Sequence, residues 1–144
     1  MNTLKRNAVV PYSARQMFEL VDAIEDYPRF LPWCHQATVL SRTENEVIAS
    51  LEIAWKGVHK KFTTRNVLYP YEKMEITLVN GPLKHMEGIW QFLPLNDHAC
   101  NVVLEMEFEF AGGLLDRLFQ PIFQHIANTL VDAFCKRAVE LYQT

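Results

Sequence analysis

Between Glu52 and Glu72 the chain carries no acidic residue, and in that gap lie Lys56, His59, Lys60, Lys61 and Arg65. Four fixed cations in ten residues make a local basic excess in a chain whose net charge is −3. Such a row suits the phosphates of a polyanion, with binding that weakens as salt rises. On an extended strand, alternate side chains point to opposite faces. His59, Lys61 and Arg65 then share one face, and Lys60, Phe62, Thr64 and Asn66 share the other. Two readings stay open for the basic row. It is a partner surface built on Lys56, Lys61 and Arg65, or a solvated face paired across to Glu105, Glu107 and Glu109 of a neighbouring strand.

The opposite face raises a second chemistry. Thr64 and Asn66 beside Phe62 are polar groups on an apolar face, and buried polar groups need a partner or water. If that face looks inward, they orient the head group of a quinone or another lipid. Trp90, Phe92, Met106, Phe108 and Phe123 are core residues by default, and a fraction of them would line any cavity. Methionine suits an adaptable apolar site. A third candidate is the run Tyr27 to Cys34, where Tyr27, Phe30 and Trp33 stand around Pro28 and Pro32. These aromatics form a partner-docking patch or a lip over a cavity, or they staple an elbow whose shape the prolines set.

Other chemistry finds no support. His35, His59, His85, His98 and His125 are scattered, with no zinc-ligand spacing. There is no glycine-rich phosphate loop and no nucleophile elbow. No convergent acid/base pair can be read, so no enzyme activity and no metal are expected. Cys34, Cys100 and Cys135 are odd in number and far apart, which suits buried thiols in a reducing cytoplasm rather than a disulfide framework. Residues 1–7 are polar and basic, unlike a signal peptide, and the apolar runs are far too short to span a membrane.

The elements that hold these residues follow from periodicity. Leu118, Phe119, Ile122, Phe123, Ile126, Ala127, Leu130, Val131 and Phe134 continue a stripe that opens at Leu114 and Leu115. This spacing predicts one long helix over 113–143, roughly 45 Å at about 1.5 Å per residue. Pro121 predicts a kink or break near 117–121. Before it, period-two alternation predicts strands at 34–43, 46–56, 58–69, 73–80, 84–94 and 98–110. A first strand at 3–10 leads into helices at 14–24 and from Asp26 to Pro32. Short connections argue an antiparallel meander. At 144 residues this is one domain, an α+β fold whose apolar sheet face is covered by the final helix.

Particular stretches carry a family resemblance across nearly the whole chain. Val10-Pro11-Tyr12-Ser13-Ala14, the elbow Asp26 to Cys34, and Phe62-Thr63-Thr64-Arg65-Asn66 are three of them. Val79-Asn80-Gly81-Pro82-Leu83 with Gly88-Ile89-Trp90-Gln91-Phe92, then Phe108-Glu109-Phe110 and residues 133–138, complete the set. Together they resemble the RatA family and its relatives, the coenzyme Q-binding START-like proteins. Asn80 departs from a position that is often Asp, and Pro121 is not expected there. The resemblance implies a START-like helix-grip fold of seven curved antiparallel strands wrapped on the long helix. It implies either of two non-catalytic roles. One is binding the large ribosomal subunit and blocking subunit association, with an antitoxin protein as a further partner. The other is binding a hydrophobic small molecule, ubiquinone or another isoprenoid lipid, in support of respiration. A cyclase-type enzyme shares the fold.

Overall fold

A computed structural model describes residues 2–142, except the side chains of residues 114–116. The stripe positions Leu114 and Leu115, and the expected helix end at Gln143, therefore lie outside the described side chains or residues. The chain runs β1 (Asn2–Val10), α1 (Ala14–Asp22), a short 3-10 helix (Ile24–Arg29), β2 (Cys34–Arg42), β3 (Glu46–Trp55), β4 (Val58–Tyr69), β5 (Lys73–Asn80), β6 (Leu83–Asn96), β7 (Ala99–Phe110) and α2 (Leu114–Tyr142). All seven strands join one antiparallel sheet in the order β1-β7-β6-β5-β4-β3-β2. Only β1 leaves sequence order. It pairs with the last strand, so the N-terminus and the end of the meander meet.

Local chemistry explains the elements. Ser13 caps α1: its hydroxyl accepts from the Gln16 amide at 3.1 Å, and the Gln16 side chain accepts from the Ser13 amide at 2.9 Å. That reciprocal pair satisfies two donors the helix cannot. Helix α1 ends at Asp22, short of the expected Ile24, because Ala23 leaves helical geometry at ψ 63°. The next turn therefore starts early, at Ile24, and ends at Arg29 rather than Pro32.

Helix α2 is unbroken through Pro121, so the expected break does not occur. The proline ring is exposed, and so is Arg117, whose carbonyl loses its partner. A carbonyl on the water side can be solvated instead of bonded. The buried face of α2 holds Phe119, Phe123, Ile126, Val131 and Phe134, whereas Leu118 of the predicted stripe is exposed.

The sheet's inner face meets α2 through aromatic contacts at both ends. Phe62 lies 5.8 Å from Phe119 and from Phe123. About 16 Å further along the helix, by its rise per residue, Phe134 lies 5.3 Å from Trp90 and from Tyr27. The elbow is thus stapled to the helix.

Candidate functional site

Between the sheet and α2 lies a cavity of about 120 Å³. Its strand walls come from alternate residues. Ala49, Leu51 and Ile53 of β3 face it beside Phe62, Thr64 and Asn66 of β4, and Ile76, Met86, Trp90 and Met106 continue the wall across β5 to β7. Phe123, Ile126, Ala127, Leu130 and Phe134 close it from the helix, and Ile24, Tyr27 and Trp33 from the elbow.

Six of the eight expected cavity residues are brought together: Phe62, Thr64, Asn66, Trp90, Met106 and Phe123. Phe92 and Phe108 are not in the lining. Phe92 packs against Phe18 of α1 at 5.6 Å, and Phe108 packs between Phe110 and Phe123. Residue alternation sets their face but not their place along it. The β3 wall is an addition to the expected site, and the period-two run Val47, Ala49, Leu51, Ile53 is the signal that points to it.

The cavity's polar content is confined and ordered. The Thr64 hydroxyl donates to Oδ1 of Asn66 at 3.1 Å, and Asn66 Nδ2 donates to the Met74 sulfur at 3.7 Å. A thioether is a weak acceptor, so this amide retains donor capacity toward an oxygen in the cavity. Tyr27 spends its hydroxyl on the Val21 carbonyl. Burial, with the nearby Asp22 charge adding to it, pushes the Tyr27 phenol above its ordinary value. Among the described residues the lining holds no carboxylate, histidine or cysteine. Among the described residues no three His, Cys, Asp or Glu side chains converge as a metal site. The cavity can hold and orient a molecule, and it offers no acid/base pair.

Tyr27 and Trp33 are also expected on a partner surface. Both are buried instead, at 9% and 8% exposure, which corrects that placement. The Tyr27 ring lies against Phe134, and both side chains line the cavity. Phe30 is half-buried, with Arg137 over its ring at 5.2 Å.

The basic row does reach the surface. Lys56, His59, Lys61 and Arg65 are exposed. Lys56 and Gly57 form the β3–β4 turn with φ values of 49° and 81°. Two successive positive φ values match the strands' twist in a two-residue hairpin. The expected pairing with Glu105, Glu107 and Glu109 does not form, because β5 and β6 separate β4 from β7. Arg65 instead approaches Glu46 at 3.5 Å, and Lys61 stands opposite Glu52 in register. Glu105 takes Lys5 at 3.1 Å and Glu109 takes Lys84 at 3.8 Å. A wide hollow of about 650 Å³ on the outer sheet face carries Glu75, Glu87, Glu105 and Glu107. The outer surface is thus polarised, basic at the β3–β4 hairpin and acidic over β5 to β7.

Residues 10–135 match the family model described as polyketide cyclase/dehydrase and lipid transport. The chain belongs to that family. It is 44% identical over 139 residues to the ribosome association toxin RatA of Pseudomonas aeruginosa, covering 96% of each chain. It is 28% identical to the mitochondrial coenzyme Q-binding protein COQ10 homolog B of Xenopus laevis, over 93% of this chain and 57% of that one. The solved Zhui aromatase/cyclase of a Streptomyces species shares the fold at a TM-score of 0.83 and 16% identity, over 99% and 98% of the two chains. The RatA resemblance carried by the motifs therefore holds, and so does the helix-grip fold. Proteins of this fold include named enzymes, while the RatA-named relatives support a role without catalysis. No helix among the described residues is long and apolar enough to cross a membrane.

Proposed function

We propose that this protein acts without catalysis by binding the large ribosomal subunit and obstructing its association with the small one. The carrying observation is the similarity to the ribosome association toxin RatA at 44% identity over 96% of both chains. The hairpin's charge supports it. Lys56 and Lys61 are exposed, and no carboxylate lies in ion-pair reach of either among the described residues. Phosphates of ribosomal RNA are the partner such a row fits. The acidic hollow over β5 to β7 repels the same phosphates, which orients the approach. Mechanism is steric occupation of the joining surface in the cytoplasm, and an antitoxin protein would act by covering the same hairpin. The test is co-sedimentation with separated subunits across a salt series. Binding to the large subunit that weakens with salt supports the proposal, and absence of binding at low salt overturns it.

One observation favours a second reading beside it. Thr64 and Asn66 sit inside an otherwise apolar lining, with an amide donor met only by sulfur. That arrangement suits an apolar ligand with an oxygen function, such as ubiquinone or another isoprenoid lipid. Mass spectrometry of extracts from the purified protein tests it, and a protein that carries out no apolar small molecule counts against it.

A further inference from the structure

We propose that the cavity takes an anionic amphiphile, a fatty-acid-like molecule whose tail enters between sheet and helix and whose carboxylate meets Lys60. The inference rests on the cavity-ligand reading and names the ligand's chemical class. Alternation along β4 puts Lys60 on the same face as Phe62 and Thr64, both in the lining. Across the hairpin Lys60 stands opposite Ile53, which also lines the cavity. The step from Phe62 to Lys60 is two residues, about 7 Å along the strand. Lys60 is therefore the next residue of that face toward the hairpin, just beyond the lining.

Among the described residues nothing answers that cation. Lys60 is half-buried, and among the described residues no carboxylate forms an ion pair with it. The described residues of the cavity lining include no acid. A lysine packs its aliphatic stem along apolar surface and keeps its ammonium at the water edge. A carboxylate meeting it there stays partly hydrated, so the pair avoids the cost of a buried charge. A neutral isoprenoid makes no use of the ammonium.

The cavity of about 120 Å³ is close to four water volumes at about 30 Å³ each. An alkyl tail must widen it. Met86 and Met106 in the wall repack at low cost. At the hairpin end, the Phe62–Phe119 contact of 5.8 Å is the one that parts.

The test uses the whole protein and the fluorescence of Trp33 and Trp90, which both line the cavity. Octanoate and dodecanoate are titrated below their aggregation concentrations, with dodecanol as the neutral comparator. Dodecanoate is expected to bind about tenfold tighter than dodecanol, the scale of one charge-assisted hydrogen bond. Lys60→Met, which keeps the apolar stem, is expected to erase that preference, and Lys60→Glu to reverse it. Lys61→Met, on the opposite face, is expected to leave it unchanged. Equal binding of dodecanoate and dodecanol overturns the anionic head group while the cavity reading stands. A preference that survives Lys60→Met overturns the role of Lys60. No response to any of these probes overturns both the proposal and the cavity reading beneath it.

Discussion

The hydroxyl of Thr64 donates to the side-chain oxygen of Asn66 at 3.1 Å, inside a chamber whose other walls are apolar. The two residues are two apart on β4 and so project from the same face. Each satisfies part of the other, and this lets polar groups persist next to Phe62 and Trp90. The bond also turns the amide's N–H side toward Met74.

A double-mutant cycle measures what this pair is worth. Thr64→Val alone strips Asn66 of its donor and leaves a buried carbonyl oxygen unpaired. Urea denaturation should show a loss of about 1–3 kcal/mol. Adding Asn66→Leu removes the orphaned group and should recover most of that loss. If the loss in the double variant equals the sum of the losses of Thr64→Val and Asn66→Leu measured singly, the two side chains are not coupled. The double variant should also lose affinity for any oxygen-bearing ligand, while keeping the fold.

Charge at the β3–β4 turn can be changed without disturbing its backbone. Lys56 sits at φ 49°, a conformation asparagine tolerates better than lysine, and Gly57 follows at φ 81°. Lys56→Asn should therefore keep or slightly raise hairpin stability while removing one cation. Combined with Lys61→Gln, it should weaken large-subunit co-sedimentation and lower the salt slope by about one for each phosphate no longer neutralised. A slope identical to that of the unaltered protein would detach the hairpin from ribosome binding. Gly57→Ala, by contrast, should cost about 1 kcal/mol through strain alone.

The buried thiols predict a loss of stability at alkaline pH. Burial pushes Cys34 and Cys100 up from 9.0 to about 11. Both folded values lie above the unfolded one. Their contribution to stability is therefore full below pH 9 and is lost as pH rises from there through about 11. That span sets an upper limit on the order of 3 kcal/mol per thiol. Thermal melts of the unaltered protein should fall across that window, and Cys34→Ala and Cys100→Ala should each flatten the fall. An equal alkaline slope in all three proteins would assign the loss to other groups. The same burial should make alkylation of both thiols slow at neutral pH.

Most of the architecture is legible in the sequence because it rests on local periodicity. The alternation of Leu104, Met106 and Phe108 with Glu105, Glu107 and Glu109 identifies β7 and its inner face without any tertiary information. What is not legible depends on strand order or on a distant partner. Glu105 and Lys61 are suited to pair by charge, but two intervening strands keep them apart. Tyr27 and Trp33 leave a docking surface, a cavity lip and a staple all open, because so short a helical piece has too few turns to define a buried face. Phe134, more than a hundred residues away, supplies the apolar partner that turns Tyr27 inward. Pro121 reads as a kink or break because sequence cannot say that Arg117 and Pro121 both lie on the exposed side of α2. Thr64 and Asn66 are legible as inward, since they share a face with Phe62.

Phe134 gives the sharpest test of how the cavity relates to the core. Its ring is 1% exposed and lies 5.3 Å from each of Tyr27, Phe30 and Trp90. It also lines the cavity. Phe134→Ala removes the ring that fastens the elbow to α2 and leaves a larger void, at a cost of about 3–5 kcal/mol. Because the new space adjoins the existing chamber, it should remain apolar and accept a small aromatic molecule. Indole or benzene should then raise the melting temperature of Phe134→Ala and leave that of the unaltered protein nearly unchanged. A variant destabilised to this extent but insensitive to either compound would mean that the elbow and helix collapse into the void. The cavity would then depend on Phe134 as a spacer as well as a wall.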